Sequence, residues 1–186
     1  MALRGGISMP QAAPVEEGTA LLSNDLETLM LPPGEVGTAF ASVLQGGTGV
    51  EQAKLFDLTA EPLLENYGLA YAQKVQQDLE ASGQQSMVFS DTVSQGEQRP
   101  TALSTGVGGA LVATTLIEQR TLDSAGGRYK PEATGLVTAL SGLSGQQDRI
   151  VQEIAHQILF FVPSKSDDGA KIQVLGVSSE LVGARN

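Results

Sequence analysis

The sequence predicts an α+β domain: a small antiparallel sheet packed by two long helices on one face, with an extended N-terminal arm. Three observations predict it. Residues 59–82 and 144–163 both carry apolar side chains at helical spacing, bounded by start and stop signals. Between and after them lie runs rich in Val, Ile and Thr, joined by turn-length connections, which suits an antiparallel sheet. The first fifty residues are broken by Gly and Pro and hold only short apolar patches. The chain is therefore divided into an extended acidic arm with short helical pieces, 1–50, and a compact α+β domain, 51–186.

The stretch 144–163 reads as the anchoring helix. Ser144 and Gln147 have the form of a capping box, and Asp148 places negative charge near the helix N-terminus. Ile150, Val151, Ile154, Ala155, Ile158, Phe161 and Val162 form one apolar face, and Pro163 ends the element. Arg149, Gln152, Glu153, His156 and Gln157 form the polar face, with Phe160 out of place among them. In 59–82, Thr59 is a cap, Pro62 sits in the tolerated first turn and Gly83 supplies the stop. Its stripe is Leu64, Tyr67, Tyr71, Val75 and Leu79, with Leu69 on the opposite side.

The arm offers two weaker helical patterns, from Ser23 through Met30 and along Val36, Phe40, Val43 and Leu44. Both are too short to stand alone, so they fold on the main domain or on another subunit. Residues 86–94 alternate Met87, Phe89 and Val93 on one face, with Asp91 spoiling the pattern. Residues 110–122 alternate Val112, Thr114 and Leu116 against Leu111, Thr115 and Ile117. A further strand within 129–140 competes with a helical reading of 132–140, and a last strand covers 171–177.

Composition narrows the function classes. The formal charge is −10, and residues 1–65 hold two basic against nine acidic side chains. That balance disfavours a grip on phosphates or on an anionic membrane surface, so no specific nucleic-acid binding is expected. No stretch approaches the length of a membrane span, and no signal peptide is visible, which leaves the virion or the cytoplasm of the producing cell as the expected location. Cys is absent, which removes thiolate chemistry and zinc sites built on Cys.

No motif points to a cofactor or a metal. The glycine cluster 104–109 precedes a strand and lacks the Lys of a phosphate loop. Asp123 to Thr134 has Ala125 and Thr134 where a calcium loop needs oxygen ligands. His156 is the single His, and no catalytic partner is implied by helical spacing except Glu153 at a three-residue offset. No nucleophile elbow is present. The residues singled out are therefore surface candidates: Phe160, His156 and Leu69, read as a protein interface on outward helix faces.

These observations favour a non-enzymatic structural subunit of a large protein assembly. A virion component (phage neck, tail or capsid-associated) comes first, and a subunit of a bacterial secretion or pilus machine second. The partners expected are copies of itself and/or other assembly subunits. The reading from a different class is a small-ligand-binding or enzymatic α+β domain whose site the sequence does not display.

Overall fold

A computed structural model describes residues 2–3, 10, 18–59 and 61–186. Most of the arm expected over 1–20 lies outside the described residues.

The chain is α+β, as expected, with its helices packed on one face of an antiparallel sheet. The strands are β1 (Ala2–Leu3), β2 (Leu21–Leu22), β3 (Val88–Gln95), β4 (Thr101–Ser104), β5 (Ala110–Asp123), β6 (Glu132–Ala133), β7 (Gly145–Gln146), β8 (Arg149–Val162) and β9 (Gln173–Arg185). The helices are α1 (Pro33–Gly46), α2 (Pro62–Asn66), α3 (Gly68–Ala81) and α4 (Gly135–Ser141). β3 and β4 run in the same direction along one edge of β5, separated by a bulged stretch in which the Gly96 N–H donates to the Thr115 carbonyl. β8 pairs with the other edge of β5 along its full length, and β9 pairs with β8. The frame is thus a meander of long antiparallel strands, with β1 and β2 adding short pairings at its edges.

The anchoring helix expected at 144–163 is a correction: the residues form β7, a bend and the central strand β8. Ile150, Ile154, His156, Ile158, Phe160 and Val162 are all buried, which is a period of two rather than 3.6. Both edges of β8 are saturated by β5 and β9, and that pairing outweighs the helical pattern. The run is also heavy in Ile, Val and Phe, which suit a pleated surface.

The helix expected at 59–82 is two helices. The break is at Tyr67–Gly68, where Gly68 takes φ 61° and any Cβ would sit 2.2 Å from the Leu44 carbonyl oxygen. The helix expected from Ser23 is absent: the segment turns twice, and Leu29 bridges to Ser164. Pro33 begins α1, at the first helical position where a missing N–H is tolerated. The strand expected within 129–140 is reduced to β6, followed by α4, and β9 runs eight residues past the expected end at Val177.

The core lies between α1 and the inner sheet face. Val36, Phe40, Val43 and Leu44 pack on Val112, Leu116, Ile158, Phe160 and Val174. Phe40, Phe56 and Phe160 meet with ring centroids 5.1 to 6.1 Å apart, the tilted and edge-on arrangement aromatic rings favour. Phe160 is therefore core, fully buried, and the outward position expected for it is wrong. A smaller cluster at the far end packs Val137 of α4 and Ala133 on Ile150.

Candidate functional site

Along the inner face the apolar pattern of β5 stops at Leu116, and the next inward residue is Glu118, fully buried. A carboxylate in that position is tolerable only if its lone pairs are satisfied. Oε1 accepts from the Gly68 N–H at 3.1 Å and from Arg120 Nε at 3.0 Å. Oε2 lies 2.8 Å from His156 Nε2. A carboxylate cannot donate, so Nε2 carries the hydrogen, and Nδ1 pairs at 2.8 Å with the Ser179 hydroxyl. Ser179, His156 and Glu118 thus form one chain of hydrogen bonds across β9, β8 and β5.

Two further groups complete the cluster. Arg120, almost buried, donates from Nη2 to the Asn66 carbonyl at the end of α2. Its guanidinium carbon sits 3.6 Å from the Tyr71 ring centroid and 5.2 Å from that of Tyr67. Tyr67 also places its ring edge-on to His156 at 4.5 Å. Asp91, on β3, pairs in register with Arg120, yet both of its carboxyl oxygens are buried with no donor in reach.

The charges explain that last fact. Burial pushes the Asp91 carboxyl up, and the negative Glu118 beside it pushes further, to about 8. Burial would raise Glu118 too. The hydrogen bonds from His156, Asp91 and Gly68 and the Arg120 charge outweigh it, and they hold Glu118 below the usual carboxylate range. A proton on Asp91 would let it donate to Glu118, with no outside donor needed.

The Ser179–His156–Glu118 chain has the connectivity of a proton relay, and its geometry is that of a clamp. His156 is fully buried, and the cleft beside the cluster, bounded by Tyr71, Phe89, Arg120 and Gln152, is lined by neither His156 nor Ser179. What the cluster does directly is hold the α2–α3 junction: Asn66, Tyr67 and Gly68 are each gripped by one of its members. Among the described residues, no group of three or more His, Asp or Glu is placed to hold a metal ion.

The opposite sheet face differs. Among the described residues, no helix packs on it, since α1, α3 and α4 all contact the inner face. One end of it carries an apolar row running across three strands, Leu103 opposite Leu111 opposite Phe161, with Leu159 on the next rung. Leu103 is exposed, and Leu111, Leu159 and Phe161 are half-buried. The rest of this face mixes Ser, Thr and Gln with Val88, Ile117 and Val151, and the Glu153–Arg185 ion pair lies near one end.

The three residues expected at an interface are not brought together. Phe160 is in the aromatic core and His156 in the polar cluster, and neither reaches the surface of this fold. Leu69 lies on α3 at 36% exposure, beside Gly47. Glu153, the partner helical spacing suggested for His156, sits on the outer face with Arg185 and Gln119. Sequence reasoning missed Glu118, Arg120 and Asp91. Only Asp91 left a signal, as the polar residue interrupting an otherwise apolar strand face.

Compared with protein-family models, curated protein sequences and solved structures, the chain matches none. No helix of the described residues is long and apolar enough to cross a membrane.

Proposed function

We propose that this chain is a non-enzymatic structural subunit of a larger protein assembly, and that it meets other copies of itself through the outer face of its sheet. A virion component is the first choice, and a secretion or pilus subunit is the near neighbour. The observation that carries the reading is the one-sided sheet. Helices cover the inner face, whereas the outer face presents the Leu103–Leu111–Phe161 row on rigid paired strands. Contiguous apolar surface on paired strands is a protein contact more often than a solvated feature. The choice of a virion rests on general form: a small acidic α+β domain without a catalytic motif.

The test is light scattering on a sizing column, with wild type and Leu103→Glu compared from micromolar to near-millimolar concentration. Wild type is expected to elute as a species larger than the 19.3 kDa chain. Leu103→Glu is expected to shift toward monomer with its melt nearly unchanged, because Leu103 is already exposed in one chain. A wild type that stays monomeric throughout, or a variant that assembles equally well, overturns the proposal.

A further inference from the structure

The contacts of α3 are unusual for a helix lying on a sheet. Of its fourteen residues only Gly68 is buried, and Tyr71, Val75 and Leu79 are half-exposed. Too little apolar area is removed from water to hold such a helix by itself. The strongest contacts are polar and sit at its N-terminal end: Glu118 on the Gly68 N–H, and Arg120 on the Asn66 carbonyl and the Tyr71 ring.

We infer that Asp91 and Glu118 share a single proton in the folded chain, and that this proton is the catch that keeps the Tyr67–Gly68 junction, and α3 with it, on the sheet. The geometry requires a proton there. Asp91 pairs with Arg120 and Val93 with Glu118, so the two carboxyl groups are diagonal neighbours on the inner face, one with its oxygens fully partnered and the other with both oxygens buried and none partnered. Ionised together they repel at close range in a medium that screens poorly. The groups facing the pair come from every packed element: Arg120 on β5, His156 on β8, Tyr67 at the α2–α3 junction and Tyr71 on α3. α1 and α4 add none, since the one charged side chain on α1, Glu35, is exposed and α4 has no charged residue.

Loss of the proton leaves the Arg120 guanidinium beside two carboxylates. Arg120 is directly opposite Asp91 in register, so turning toward it is the nearest relief. That turn takes the guanidinium off Asn66 and Tyr71, which are its holds on the helices.

The Asp91 carboxyl is raised in the folded chain, so the folded state binds a proton that the unfolded state has released. Its stabilisation is full in the ordinary carboxylate range and is lost as pH climbs to about 8. Glu118, held low, adds stability that is full above the ordinary carboxylate range and is lost as pH falls from there to about 2.

The test is a carbon-13 NMR titration of the Asp91 carboxyl in the full chain, with the Gly68 amide and the Tyr71 ring followed in parallel. Asp91 is expected to titrate in the neutral to mildly alkaline range, with Gly68 and Tyr71 shifting at the same midpoint. From the ordinary aspartate range up to that midpoint, α3 amide protection is expected to fall by up to about tenfold per pH unit beyond the intrinsic change in exchange rate, and to level off above it. In Asp91→Asn the amide donates to Glu118 at every pH, and the α3 response is expected to vanish. Should that variant not fold, the wild-type titration decides alone. Asp91 titrating at about 3.9 like an ordinary aspartate overturns the proposal. So does a high Asp91 midpoint to which Gly68 and Tyr71 do not respond.

Discussion

α1 and α3 are both fourteen residues long and lie on the same sheet face, and they are held there by different physics. α1 buries seven residues, among them Val36, Phe40 and Leu44 at or near zero exposure, against the centre of the sheet. Its attachment is hydrophobic, close-packed and indifferent to pH. α3 buries one glycine, and its junction with α2 is gripped by a buried carboxylate, a guanidinium and an imidazole. One helix is part of the core. The other is fastened to it.

The difference can be broken from either side. The largest effect is expected at Phe40, whose ring is fully buried and touches both Phe56 and Phe160. Phe40→Ala should cost about 3–5 kcal/mol in denaturant unfolding, and should lower the stability of α1 and the sheet together. A loss under about 1 kcal/mol would show that the aromatic trio is not the centre of the core.

A smaller and more local effect is expected at the other helix. Gly68→Ala forces an L-residue to φ 61° and puts a Cβ 2.2 Å from the Leu44 carbonyl oxygen. A cost of about 2 kcal/mol or more follows, concentrated in α2–α3, with the α1 core retained. Hydrogen exchange resolved by residue distinguishes this from a global loss. Equal weakening of α1 and α3 would mean that the helices form one cooperative unit.

The same contrast accounts for what was legible in the sequence. β5 is readable because Val112, Thr114 and Leu116 alternate with residues of the outer face. α1 is readable because its inner side is uniformly apolar. β8 was disguised. Two of its inward positions hold Gln152 and His156, so the even-numbered apolar pattern is interrupted and a 3.6-residue spacing fits as well. His156 is polar at a core position because Glu118, thirty-eight residues earlier, satisfies it there. No periodicity within one segment can display such a pair.

Phe160 shares that strand face with His156, and a helical spacing puts both on the polar side. The break at Gly68 was readable in principle, as a glycine inside a helical pattern is a candidate bend. Its cause, the approach of Leu44, is a tertiary contact that the local sequence does not show.

The direct test of the account is native-state hydrogen exchange of α1 and α3 amides in the same sample across denaturant. α1 is expected to exchange only through global unfolding, while α3 opens separately at a lower free energy. Exchange of both helices through a single opening, with the same free energy and the same denaturant dependence, would contradict it.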